Sequence, residues 1–272
     1  GKGVSVNLRS IGEIVDAFHI EKQFGEEIVV ERFVEGKHYR VLVINNQVVA
    51  CAERIAPYIT GDGKSTIREL IEAENRNPIR GEGHEKPLTK IKVDAIMRAL
   101  LQKNGMDIDY VPTVGEQVLL RENDNLSTGG TAIDKTDEIH PDNAEIAIHA
   151  AGIVGLDIAG IDITTRDIAV PMSQDDGAVI EVNAAPGIRM HYYPAVGKQR
   201  NVAKHIVDML FPEGSSHSVP LISITGTNGK TTTTRMINKI LQEKGYTVGM
   251  TSTGGVYIND TCIMKGDTTG YR

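Results

Sequence analysis

The sequence predicts an α/β chain in two unequal units: a mixed strand-and-helix unit, then the first βαβ of a parallel sheet. Three observations carry this. Runs rich in Val and Ile alternate with stretches in helical spacing through residues 1–211. A polar stretch without periodicity, "PEGSSHSVP" at 212–220, reads as a linker. After it, in 221–272, "LISITGTNGKTTTTRMINKILQEKGYTVGMTST" reads strand, loop, helix, strand.

The elements follow in order. Residues 26–50 hold strand-like runs, "EEIVVERFVEG" and "HYRVLVINNQVVACAE", with turn residues at Glu35-Gly36 and Asn45-Asn46. Residues 66–75 and 89–104 place Ile, Leu and Met at helical spacing. Thr66 and Glu69 form a capping-box pattern ahead of Leu70. "TGDGKSTIREL" (60–70) therefore reads as a turn and helix start despite its Gly-Lys-Ser, the alternative being that Lys64 faces substrate. "NPIRGEGHEKP" (77–87) reads as a solvated charged loop. "QVLLREN" is a strand running into a loop, and "PDNAEIAIHAAGIVGL" a helix opened by Pro141 and Asp142. "IAGIDITT" and "GAVIEVNAAPG" are two further strands, and "NVAKHIVDMLF" is a helix.

Composition narrows the class. At 272 residues, 40% hydrophobic and 24% charged, the chain matches a soluble globular protein. No apolar run reaches about 18 residues, so no membrane partner is expected. A net charge of −7, no Trp and 4% aromatics weigh against nucleic acid. Cys51 and Cys262 form no metal or disulfide pattern, and the eight His residues read as surface or packing groups. Without a signal-like start, a cytoplasmic enzyme is expected. Opening on "GKGVSVN" and closing soon after a Gly-Lys-Thr loop, the chain reads as a piece of a longer enzyme.

The loop "ITGTNGKTTTT" (224–234) lies between a strand-like run and a helix. Free N–H groups at a helix N-terminus, with the helix dipole, hold phosphate oxygens. Gly226 and Gly229 let the backbone approach, Lys230 neutralises phosphate charge, and the Thr231 hydroxyl holds Mg²⁺. Thr227, Asn228 and Thr232 complete the phosphate-binding candidates. Ile224 stands where a strict Walker motif has Gly. The loop resembles that of the Mur ligases, over about residues 219–272. Those enzymes activate a carboxylate as an acyl phosphate and join an amine to it.

In "VIEVNAAPG", Glu181 and Asn183 are two apart on a strand and share a face; "GIDI" offers Asp162 on the preceding strand. Two carboxylates and an amide oxygen suit Mg²⁺; exposed strand positions are the plain alternative. "LRENDNLSTGGTA" (120–132) supplies Arg121 and Asn125 as phosphate contacts, with Gly129 and Gly130 permitting close backbone approach. Lys2 in "GKGVSVN" fits a flap over phosphates. The backbone of Glu31, Arg32, Phe33 and Val34 fits an adenine-binding hinge, or Glu31 is an exposed strand-end charge. Arg189 in "PGIRMHYYP" is either a bidentate carboxylate binder or a surface residue.

These pieces, in this order over residues 1 to about 190, resemble the ATP-grasp ligases. The resemblance implies that Asp162, Glu181 and Asn183 are Mg²⁺ ligands and that Arg121 stabilises the transferred phosphoryl group. It sets His38 where many relatives carry a ribose-binding Glu. The two ligase types in one chain, with "GKGVSVNL", "LSTGGTA", "EVNAAPGIRMH" and "ITGTNGKTTTTRMI", resemble the cyanophycin synthetase family. That resemblance implies ATP and Mg²⁺ as cofactors, and Asp, Arg and a cyanophycin primer as substrates. The first unit would add Asp to the chain's terminal carboxylate, the second Arg to the new β-carboxylate. A homo-oligomer is expected. The alternatives are another fused amino-acid ligase, such as a glutathione-synthetase-like one, or a non-catalytic ATP-binding module.

Overall fold

The computed structural model describes residues 5, 8–83, 85–173, 175–215 and 218–268; Lys2, the flap candidate, lies outside them. Contacts divide the chain into two compact units, Gly1–Gly214 and Ser215–Arg272.

The first unit opens with α1 (Ile11–Glu21), capped reciprocally by Ser10 and Glu13. β1 (Lys37–Ile44) and β2 (Gln47–Ile55) form a hairpin. Its turn is Asn45-Asn46, with φ of 49° and 60°. Asn tolerates this left-handed pair, whose twist suits a two-residue hairpin. Next come β3 (Tyr58–Thr60), α2 (Ile67–Asn75), β4 (Arg80–Gly81), β5 (Leu88–Thr89), α3 (Ala95–Lys103) and β6 (Gln117–Leu119). The chain then returns through β7 (Thr131–Asp134), α4 (Pro141–Val154), β8 (Ile158–Thr165), β9 (Gly177–Asn183), α5 (Arg189–Tyr192) and α6 (Val202–Leu210).

The main sheet has five strands in the order β7-β2-β1-β8-β9. Its neighbours all run antiparallel. One face buries Tyr39, Val41, Cys51, Ile161 and Ile163 against Ala147 and Ala151 of α4. The opposite face buries Leu42, Ile44 and Ala50 against Val202 of α6. β1 is thus covered on both sides, and its residues 39–44 are all buried, so its apolar run is continuous rather than alternating. Residues 56–120 build a separate small core from Ile67 and Ile71 of α2, Met97 and Leu101 of α3, and Val118. Thr66 caps α2 with Glu69, as the sequence pattern predicts, and the Asp62 carboxylate ties down the backbone of Lys64 and Ser65.

Three expectations change. Residues 26–36, predicted as a strand, belong to no strand, and Val29 and Val30 are 79% and 81% exposed. The residues have β propensity, but a strand forms only against a partner that takes its N–H and C=O groups. The loop at 77–87 is not wholly solvated. The Arg80 side chain is buried, bonding Glu74 Oε1 (3.0 Å) and the carbonyls of Thr89 (2.8 Å) and Gly129 (3.1 Å).

The third change is in the second unit. It holds α7 (Lys230–Glu243) and an antiparallel meander of β10 (Gly249–Ser252), β11 (Gly255–Ile258) and β12 (Thr261–Lys265). The predicted strand at 221–225 is irregular, and Leu221 is 91% exposed. Helix and following strand form where expected, but β10 pairs antiparallel with β11, so no parallel pair completes the βαβ among the described residues.

Candidate active site

The site is built on one face of the main sheet. Register sets Arg40 of β1 opposite Asp162 of β8, and Asp162 opposite Glu181 of β9. Asn183 lies opposite Gly160, two residues along each strand, on the same face. Directly opposed antiparallel residues have Cβ atoms about 5 Å apart. The predicted ligand set Asp162, Glu181 and Asn183 therefore comes together in register.

Arginines organise this face. Asp162 Oδ1 accepts from Arg40 Nε; its Oδ2 accepts from Arg40 Nη2 (3.1 Å) and Arg54 Nη1 (3.0 Å). Arg54 Nη2 reaches on to Asp124 Oδ1 (2.6 Å), and Asp124 Oδ2 meets His38 Nδ1 (2.8 Å). A Cβ at Gly160 would lie 2.6 Å from Pro186 Cβ and 3.0 Å from Arg40 Cδ, so only glycine leaves the Arg40 side chain its course beside Asp162. Burial acts to raise the Asp124 carboxyl, but His38 and Arg54 outweigh it and hold it below the usual 3.8. Burial likewise acts against the charge of Arg54, but Asp124 and Asp162 prevail and raise its pKa.

The donors fit a hard cation. A carboxylate offers about four acceptor positions. Asp162 spends three on arginine N–H groups, which leaves one on Oδ1. Glu181 is exposed and has no partner among the described residues. Asn183 donates its Nδ2 to the Gly160 carbonyl (3.2 Å), leaving Oδ1 as the free ligand atom. Among the described residues no group of three or more His, Cys, Asp or Glu is placed to hold a metal.

Along His38, Arg54 and Asp124 runs an open cleft of about 600 Å³, lined also by Lys37, Leu119 and Val196 among others; Asp162, Glu181 and Asn183 are not among its lining residues. It begins just after the candidate hinge. Glu31, Arg32 and Phe33 are exposed and Val34 is half-buried.

Other candidates stand elsewhere. Arg121 is 5% exposed and bonds Asp94 Oδ2 (2.5 Å) and the Lys92 carbonyl (3.3 Å). None of its bonds among the described residues reaches Asp162, Glu181 or Asn183. Asn125 is exposed at the head of a short 3₁₀ turn, and its carbonyl accepts from Thr128 and Gly130. Gly129 takes φ of 102°, and a Cβ at Gly130 would lie within 2.9 Å of the carbonyl oxygens of Ile55, Asp124 and Asn125. The close approach these glycines allow is to protein backbone. Arg189 donates to the Lys86 carbonyl (2.9 Å) from the start of α5.

The sequence reading missed Arg40, Arg54 and Asp124, and it set His38 aside. A signal existed: Arg40 in "YRVLVI" is a single charge inside an apolar strand, and Arg54 in "ACAERI" stands beside Glu53 in another. A buried charge of this kind requires a partner.

In the second unit, Gly226 (φ 142°) and Gly229 (φ 80°) shape the loop, and Gly229 is the N-cap of α7 without a side-chain cap. Thr227, Asn228 and Thr232 are exposed and Thr231 is half-buried. Lys230 Nζ folds back onto the carbonyls of Gly226 (2.6 Å) and Thr227 (3.4 Å). A lysine held over loop carbonyls at an uncapped helix start is placed to turn to an arriving phosphate.

His191 is a further buried group, 2% exposed, with no partner for Nε2 among the described residues. Burial first, then the charge of Arg40, lowers its pKa from 6.5 to about 4. The unfolded chain binds a proton on this ring below pH 6.5 and the folded chain does not. Stability should therefore be full above pH 6.5 and fall by about 3 kcal/mol as pH drops toward 4. Urea melts at pH 7 and 4.5 check this; His191→Leu should flatten the slope, and an unchanged slope would refute it.

Comparisons with known proteins agree with this architecture. Residues 111–210 match the RimK-like ATP-grasp domain, and residues 224–271 match the Mur ligase middle domain. The chain is 48% identical over 272 residues to cyanophycin synthetase of Synechocystis sp. (99% of this chain, 31% of that protein). It is 49% identical over 270 residues to that of Trichormus variabilis (99% and 30%). The glutathione biosynthesis bifunctional protein of Clostridium perfringens is 39% identical over 194 residues (71% and 25%). A crystal structure of a bifunctional glutathione synthetase from Pasteurella multocida superposes with a TM-score of 0.62 at 32% identity (76% and 28%). The chain spans about 30% of the length of the cyanophycin synthetases it matches. Along almost its whole length it resembles the cyanophycin synthetases, over a stretch that holds RimK-like ATP-grasp and Mur ligase middle domain sequence.

Proposed function

We propose that this chain serves an ATP-dependent amino-acid ligase that makes cyanophycin, a polymer with an Asp backbone and Arg on each side chain. One observation carries the reading: ATP-grasp and Mur ligase matches occur in one chain that aligns over 99% of its length with cyanophycin synthetases. The glutathione proteins align over 71–78% of it.

We assign residues 1–211 to the ATP-grasp unit, 212–220 to a linker and 221–272 to the Mur-like unit. Asp would be added at the first and Arg at the second, each through an acyl phosphate. Mg²⁺, when bound, would offset phosphate charge. In the first unit Glu181, Asn183 Oδ1 and Asp162 Oδ1 would hold it, and the Glu31–Val34 backbone would meet the adenine. In the second, the N–H groups of 226–232 would cradle phosphate, Lys230 would neutralise it, and Thr231 would hold the cation. Arg189 remains the candidate for a substrate carboxylate. The reading places the protein in the cytoplasm as a homo-oligomer, with Asp, Arg and a cyanophycin primer as partners and neither nucleic acid nor membrane. Among the described residues no helix is long and apolar enough to cross a membrane.

The test is phosphate release from Mg-ATP by the full-length enzyme that carries this chain, with a short Asp/Arg primer. Asp alone, Arg alone and both together are compared. Sustained release only with both is expected. Release with other amino acids and not with these would remove cyanophycin as the product.

A further inference from the structure

The sequence contains two Asn-Gly pairs, Asn104-Gly105 at the end of α3 and Asn228-Gly229 in the loop before α7. In such a pair the backbone can attack the asparagine side chain, because glycine has no side chain to shield its nitrogen. We propose that Asn228 is a self-modification site: it deamidates through the Gly229 nitrogen, and bound nucleotide phosphate guards it. The guarding rests on the phosphate reading of this loop; the deamidation does not.

The two pairs are alike in exposure and shape. Both asparagines are exposed, and neither side-chain amide has a bond among the described residues. Both glycines are left-handed, with φ of 73° at Gly105 and 80° at Gly229, and nothing lies within 4 Å of where a Cβ would stand on either. The nucleophile separates them. The Gly105 N–H donates to the Gln102 carbonyl (3.0 Å) as α3 ends. The Gly229 N–H has no acceptor among the described residues, because it lies at a helix start, where no preceding turn supplies a carbonyl. The attacking nitrogen is therefore bonded in one pair and open in the other.

In the reaction hydroxide takes the proton of the Gly229 amide. The nitrogen then bonds to Asn228 Cγ as the bond from Cγ to Nδ2 breaks, and Nδ2 takes a proton from water and leaves as ammonia. Water opens the resulting succinimide ring. Cleavage between Cγ and the Gly229 nitrogen leaves aspartate. Cleavage between the main-chain carbonyl carbon and that nitrogen leaves isoaspartate, which lengthens the backbone by a methylene. Either product sets a carboxylate among the N–H groups of 226–232, where its charge repels phosphate. The guarding has the same origin. Phosphate on these groups shares the Gly229 proton, and a shared proton is withheld from hydroxide.

The experiment ages the full-length enzyme that carries this chain in mildly alkaline buffer and follows both peptides by mass. Deamidation at Asn228 should outpace that at Asn104 by about fivefold or more, because the Gly105 N–H must first give up a hydrogen bond. In urea, which removes the fold, the two rates should converge. Equal rates in the folded enzyme, faster loss at Asn104, or the same Asn228 lead kept in urea would overturn the inference. An isoaspartate-specific methyltransferase should label the aged Asn228 peptide, and Asn228→Gln should abolish that label. A mass gain without the label would mean direct hydrolysis of the side chain and would overturn the Gly229 route. A non-hydrolysable Mg-ATP analogue should slow loss at Asn228 and leave Asn104 unchanged. Faster loss at Asn228 that the analogue does not slow would uphold the deamidation but overturn the guarding, and with it the phosphate reading of the loop.

Discussion

Glu181→Gln should cut Asp-dependent phosphate release by about a hundredfold or more, with Arg-dependent release on an Asp-ended primer left intact. Glu181 is the exposed, unpartnered carboxylate of the ligand set, so the substitution removes a cation ligand's charge without stranding a protein partner. Its backbone pairing with Asp162 is unaffected by a side-chain amide. The fold should therefore survive, and the loss should fall on turnover. Lys230→Ala should do the converse and remove Arg-dependent release alone. Lys230 is exposed and, among the described residues, bonds only its own loop's carbonyls, so its loss costs little stability. Separate assays with an Arg-ended and an Asp-ended primer read the two steps. Loss of both steps in either single variant would argue against two separate sites.

Local rules were legible where they were sufficient. The capping box at Thr66, the Asn45-Asn46 turn and the Pro141 helix start depend on neighbours in sequence, and each forms as the residues predict. The Glu181–Asn183 face follows from strand period alone, and joining it to Asp162 needed only that the two strands be adjacent. The arginine network needed more. Arg40 and Arg54 reach Asp162 across three strands, and nothing in their own segments tells the register that brings them there. Arg121 bonds Asp94, 27 residues away in sequence, a partner its own segment does not reveal. Asp124, three residues on, is the member of that loop that joins the site. The strands expected at 26–36 and 221–225 failed for one shared reason: their residues favour β structure, but pairing is a property of two segments, not one.

Asp162→Asn should be the most damaging single change to stability in the first unit. Asp162 takes three N–H donors from two guanidiniums whose side chains are 10% and 15% exposed. Removing its charge leaves Arg40 and Arg54 close together, with Asp124 as the remaining ion-pair partner of Arg54 and none for Arg40. Breaking a buried pair from one side typically costs about 3–5 kcal/mol, because the surviving charge stays desolvated without compensation. The amide also turns an N–H toward groups that only donate. Urea unfolding at pH 7 measures the loss, and a cost under about 1 kcal/mol would show the pair to be solvated like a surface ion pair. The same logic gives a second readout. The variant leaves Arg40 without its carboxylate beside Arg54 and forms a site for an anion, so inorganic phosphate should raise the melting temperature of Asp162→Asn more than that of the unsubstituted protein. If phosphate acted equally on both, the arginines would not be facing space that an anion can enter.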